Sequence, residues 1–280
     1  MSKHKNNPFI LILIAISWFI ILPAIKTFFA DIITPQIEYT LFEETENELG
    51  ELIIEEDAVF PDEFIPLTSN WQSSSTEWTS NWHIYEPYLK RSILELENLD
   101  SDTIGITTPS SKKSGKKATK RQISIQDFWA GVYNIILLDN KERLNNLASS
   151  FLWFQEKNEL SDREILQVII DFIQQIPYEI PDNYYGLYSP TDVLYRNAGD
   201  CDSKSVLAAL ILKKLGYDTA IFYSDEYRHA MLGINVPSIG EYKELNGKSY
   251  YFTEMTASGW QIGEISPDCA DLKYWHIISI

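Results

Sequence analysis

Cysteine is scarce in this 280-residue chain, with Cys201 and Cys269 the only two. Two cysteines do not make the disulfide framework that holds small secreted domains, although one Cys201–Cys269 pair is compatible with an oxidising compartment. Histidine is nearly as rare: His4, His83, His229 and His276. No CxxC or HExxH spacing occurs, which removes the usual ligand sets of structural and catalytic zinc. Positive charge is also short, since 23 Lys and Arg face 40 Asp and Glu for a net −17. A surface of that sign repels phosphate and argues against a nucleic-acid partner. Apolar side chains are plentiful at 45%, with 8 Trp, 16 Tyr and 13 Phe, so a packed core is expected.

Lys3 and Lys5 precede an uncharged run of 18 residues, Pro8 to Ile25, in which Ser17 is the only clearly polar side chain. That length just spans a bilayer, and a proline is tolerated there. Ala-x-Ala cleavage sites are absent, and the candidate ending Phe28-Phe29-Ala30 begins with a bulky residue. Residues 1–30 therefore read as a cytoplasmic stub and an uncleaved signal anchor rather than a cleaved signal peptide. The lysines keep the N-terminus inside, so the expected protein is a single-pass cell-membrane protein whose main domain is extracytoplasmic. Glu43 to Glu63 holds ten acidic residues and no Lys or Arg, and residues 31–66 read as a solvated spacer.

Residues 67–122 combine an aromatic-rich segment with a basic loop. Trp71, Trp78, Trp82, Tyr85 and Tyr88 lie among Ser, Thr and Asn. They read as short strands whose rings pack on the main domain, the other reading being a carbohydrate- or peptide-binding face. Ser101 to Gln122 is rich in Ser, Thr and Gly and carries Lys112, Lys113, Lys116, Lys117, Lys120 and Arg121, the composition of an exposed loop.

Residues 123–280 form the main domain. Leu144, Leu147, Phe151 and Phe154 predict an amphipathic helix over Asp139–Phe154. Ser161 and Glu164 have the capping-box spacing, and Ile165, Val168, Ile169, Phe172 and Ile173 continue at helical period until Pro177. Pro190 opens a short helix. Asp200 suits an N-cap, and Leu207, Leu210, Ile211 and Leu215 make one apolar helix face. Lys213 and Lys214 suit that helix's C-terminal end, and Gly216 stops it. Beyond Gly216 the period changes to two: Thr219–Tyr223, then His229–Val236, then Ser249–Met255 after the hairpin signal Asn246-Gly247. Helices followed by an antiparallel sheet define an α+β domain.

Cys201 falls in the first turn of its helix, where free backbone N–H groups favour a thiolate. A thiol nucleophile needs a base, and the base needs an orienting group. The chain offers His229 opening one strand and Glu254 near the end of the next, 28 and 25 residues on. If the two strands pair, histidine and carboxylate meet, with the cysteine helix packed across them. The plainer reading stands beside it: a buried cysteine, a structural histidine and a carboxylate paired with a lysine.

Gly199-Asp200-Cys201-Asp202-Ser203-Lys204-Ser205, Leu215-Gly216-Tyr217-Asp218, Arg228-His229-Ala230 and Tyr251-Phe252-Thr253-Glu254-Met255-Thr256 together resemble the transglutaminase-like superfamily. Phe172 to Tyr178 is similar to the segment that precedes the cysteine there. The resemblance covers about Asp127 to Ile265, roughly half the chain. It implies a papain-like core and a thiol enzyme, a cysteine peptidase or amidase on protein or peptide substrates, with Cys201 as nucleophile, His229 as base and Glu254 as orienting acid. Amine-accepting cross-linkers and non-catalytic scaffold modules also occur in that superfamily. Its third residue is usually Asp, so Glu254 is one methylene longer. Some bacterial members bind calcium through acids flanking the cysteine. Asp200 and Asp202 match those positions, but Ser203 takes the next acidic place, leaving few of the six or more oxygens calcium requires. No other cofactor is implied.

Overall fold

The computed structural model describes residues 63–99 and 124–280. The expected anchor, most of the acidic spacer and the basic loop lie outside them. Among the described residues, six helices precede a five-stranded antiparallel sheet, and a hairpin stands before them: an α+β chain. The helices are α1 (Glu86–Glu97), α2 (Ile125–Asn140), α3 (Asn145–Lys157), α4 (Asp162–Gln174), α5 (Pro190–Arg196) and α6 (Cys201–Lys214). None of the described helices is long and apolar enough to cross a membrane.

The strands expected in the aromatic stretch form one antiparallel hairpin, β1 (Phe64–Ser73) and β2 (Thr76–Tyr85). The same stretch then becomes α1, with Pro87 in its first turn. Trp71 meets Phe172 edge-on with ring centroids 5.1 Å apart, and Trp78 meets Phe154 at 4.3 Å. Trp82 also meets Phe172 edge-on. The indole N–H groups of these three tryptophans are buried with no hydrogen-bond acceptor. Edge-to-face packing on phenyl rings offers such groups a weak π partner instead.

The helix predicted over Asp139–Phe154 is two helices, broken at residues 141–144. Neither Gly nor Pro marks the break, and Leu144, the N-cap of α3, provides no side-chain cap. α2 itself, which buries Val132, Tyr133, Ile136 and Leu137, has no counterpart in the sequence-based expectation. The capping box of α4 forms as the spacing requires: Ser161 accepts from the Glu164 backbone N–H, and the Glu164 side chain accepts from that of Ser161.

α6 is the centre of the domain. Its expected single apolar face is an underestimate, because every residue from Cys201 to Leu212 except Asp202 is buried. Ala208, Ala209, Ser203 and Ser205 are small enough to let helices α2–α5 approach on one side and strands β3 and β4 on the other. A stripe of large apolar residues therefore records only part of the buried surface.

Strands β3 (Thr219–Ser224), β4 (His229–Ile234), β5 (Tyr242–Leu245), β6 (Lys248–Thr253) and β7 (His276–Ser279) are ordered β5-β6-β4-β3-β7. Asn246 and Gly247, both at positive φ, make the two-residue β5–β6 turn. On β4, Ala230, Leu232 and Ile234 belong to the main core. Met231, between them, joins Phe222, Phe252 and Trp275 in a second, smaller core on the other face. His276 opens β7 and pairs with Tyr223.

Candidate active site

The chain enters α6 through Gly199. Its N–H donates to Pro177 O (3.1 Å), its C=O accepts from Glu179 N–H (3.2 Å), and a short parallel bridge joins Tyr178 to Gly199. A Cβ at position 199 would lie 3.3 Å from Ser203 Cβ and 3.4 Å from Val193 Cγ1, so those neighbours would have to give by a few tenths of an ångström. Asp200 is the N-cap: one carboxylate oxygen accepts from Ser203 N–H (3.1 Å) and Ser203 Oγ (2.5 Å). Burial, with the neighbouring charge of Asp202, pushes the Asp200 carboxyl up to about 6.

Cys201 is 6% exposed. Its Sγ donates to Asp202 Oδ1 at 3.0 Å. Asp202 Oδ2 accepts from the hydroxyl of Tyr133 at 2.5 Å. Tyr133 is fully buried on α2, with its ring stacked on Trp129. The helix start predicts a thiol shifted down; the surroundings shift it the other way. Burial pushes the Cys201 thiol well up, and the charge and hydrogen bond of Asp202 and the charge of Asp200 add to it. Only the Ala230 N–H acts in the opposite sense.

His229 opens β4, one residue before Ala230. Its Nε2 lies 2.8 Å from Glu254 Oε2, and its ring stands edge-on to Trp275 with centroids 5.9 Å apart. The β4–β6 register explains the meeting. Ile234 pairs with Tyr251, Gly233 with Phe252 and Leu232 with Thr253, so β6 runs towards the start of β4 and delivers the next residue, Glu254, beside His229. Glu254 Oε1 accepts from Met255 N–H (2.9 Å), Thr256 N–H (2.8 Å) and Thr256 Oγ1 (2.6 Å). Burial alone would raise the Glu254 carboxyl. The His229 contact and the Thr256 donors outweigh it, and the group is held below its ordinary range. It is an anchored carboxylate aimed at an imidazole.

Cys201 and Cys269 are both free thiols, so the pairing open to the sequence is not made. The ligand atoms of Asp200, Cys201 and Asp202 lie within 4.8 Å of one another. They do not suit calcium. Both oxygens of Asp202 are occupied by Tyr133 and Cys201, one of Asp200 is occupied by Ser203, and two carboxylates with a sulfur fall short of six oxygens. Tyr133 and Trp275 escaped the sequence reading. The Trp129–Tyr133 spacing of four residues within an apolar run was the available signal for the first.

No protein-family model matches the chain, and no curated protein sequence matches it. Among solved structures, the chain is similar to a crystal structure of a proposed cysteine protease from Cytophaga hutchinsonii. The identity is 15% and the TM-score 0.29, over 78% of this chain and 73% of that one. An overlap that slight is a distant likeness and carries no activity across.

Proposed function

We propose that this chain is a thiol enzyme acting on amide bonds of proteins or peptides through Cys201, His229 and Glu254, on a papain-like core of the transglutaminase-like kind. The observation that supports it best is the 2.8 Å contact between His229 and Glu254, with His229 next in sequence to Ala230, whose backbone N–H favours the Cys201 thiolate. With Nε2 engaged by Glu254, Nδ1 is the ring nitrogen left to take the thiol proton. The sulfur then attacks the amide carbonyl, and the C–N bond breaks as the imidazolium protonates the departing amine. Water attacks the thioester, releasing the acid and restoring the thiol. An amine acceptor in place of water would give a cross-linker. The backbone N–H of Cys201, at the first turn of α6, is a donor suited to the oxyanion.

In this reading residues 8–25 anchor the protein in the cell membrane with the N-terminus cytoplasmic, 31–66 space the domain from it, and 123–280 carry the chemistry outside. A second reading, a non-catalytic binding module, draws on the Cys201 thiol being held by Asp202 and pushed up by burial. One experiment separates them. Intact cells expressing the full chain are given a membrane-impermeant fluorogenic peptide library. The enzyme reading predicts outward-facing cleavage that falls by a factor of about a hundred or more in Cys201→Ala. Cleavage that survives Cys201→Ala, or appears only after lysis, contradicts the reading or its topology respectively.

A further inference from the structure

We infer that Gln174 is a positioning residue for Glu254, its buried amide fixing the loop from which that carboxylate is aimed at His229. The inference rests on the reading of Glu254 as the orienting acid. Glu254 lies just past the end of β6, and its Oε1 is held by donors of the loop itself, Met255 and Thr256. The direction of the carboxylate therefore follows the shape of the loop.

Gln174 sets that shape. It is the last residue of α4 and 3% exposed. Its Nε2 donates to Glu254 O (2.9 Å) and Trp260 O (3.0 Å), and its Oε1 accepts from Gly259 N–H (3.2 Å). Every hydrogen bond of this side chain goes to residues 254–260, joining the two ends of the loop. A buried amide is costly unless satisfied, and an apolar side chain of similar volume would fill the same space. A volume-filling role does not call for that set of bonds.

Gln174 is also tied to the nucleophile's helix. Its backbone C=O accepts from Lys204 Nζ (3.1 Å), which donates to Ile176 O as well (2.7 Å). Lys204 is fully buried, one turn along α6 from Cys201. Cys201 and Glu254, far apart in sequence, are thus referred to one residue at the end of α4.

The test is the rate at which iodoacetamide alkylates Cys201 in the full chain, read by peptide mass spectrometry from about pH 5 to about pH 10. Wild type, Gln174→Met, Glu254→Gln and the double variant are compared. Gln174→Met is expected to slow alkylation at neutral pH roughly tenfold and to move the profile to higher pH. Glu254→Gln should do so at least as strongly, and the double variant should match Glu254→Gln alone. If Gln174→Met does not fold, Gln174→Glu, which lacks both N–H donors, takes its place. A profile coincident with wild type, even with a lowered melting temperature, assigns Gln174 a purely structural role and overturns the inference, as do additive effects in the double variant. A wild-type profile in Glu254→Gln overturns the triad reading and the inference with it.

Discussion

Asp202 sits between two donors, the Tyr133 hydroxyl and the Cys201 thiol, and the contact to sulfur stabilises the protonated form. Asp202→Asn removes the charge while leaving an amide oxygen for Tyr133. Without a neighbouring negative charge the thiol is easier to ionise, so its midpoint should fall by about one pH unit or more. Ultraviolet titration of the thiolate in a Cys269→Ser background measures it, and an unchanged or raised midpoint would show that Asp202 does not hold the proton. At this scale the candidate residues were legible because each stands at an element boundary with a chemical signature. Asp200-Cys201 follows a glycine, His229 opens an alternating run, and Glu254 closes one. Their partners were not legible. Tyr133 and Asp202 are 69 residues apart, and no local pattern announces a contact that only the packing of α2 on α6 creates.

The hairpin and α1 stand outside the 123–280 segment yet share its interior. Trp71 and Trp82 pack on Phe172 of α4, and Gln72 exchanges hydrogen bonds with Gln175 through its backbone N–H and C=O (2.9 and 2.6 Å). Ser73 Oγ donates to Asp171 (2.6 Å), and Ser92 of α1 shares a hydrogen bond with Thr191 of α5 (2.6 Å). Deleting a buried tryptophan's contacts typically costs about 3–5 kcal/mol. A chain trimmed to residues 123–280 should therefore melt at least about ten degrees lower than the full chain or aggregate. An equal melting temperature by calorimetry would mean that the hairpin and α1 are accessories. Elements closed by local chemistry were readable, among them the capping box of α4, the Asp200 cap and the Asn246-Gly247 turn. The break at residues 141–144 was not, because periodic leucine and phenylalanine run across it without a breaker. α1 was missed because it follows directly on alternating aromatics.

For the molecule as a whole, the fold brings a strand start and a strand end together, and it packs the helix that begins at Cys201 against the first of those strands. Helix α6 is enclosed by α2–α5 and the sheet, so Cys201 has a fixed position relative to β4, and the β4–β6 register brings Glu254 to His229. The antiparallel sheet and three of its strands, β3, β4 and β6, were foreseeable from period and turn residues, whereas β5, β7 and the strand order were not. The second small core beneath Met231 and Trp275 was not, since it depends on β7 returning to the edge of β3. The claim that most needs testing is that His229 takes the proton of a thiol which burial and Asp202 otherwise hold on sulfur. The measurement is the pH dependence of Cys201 alkylation by iodoacetamide in the wild-type full chain and in His229→Ala. The account predicts that loss of the imidazole slows alkylation at neutral pH by about tenfold or more and displaces the profile to higher pH. Coincident profiles would contradict it and leave Cys201 a buried structural thiol.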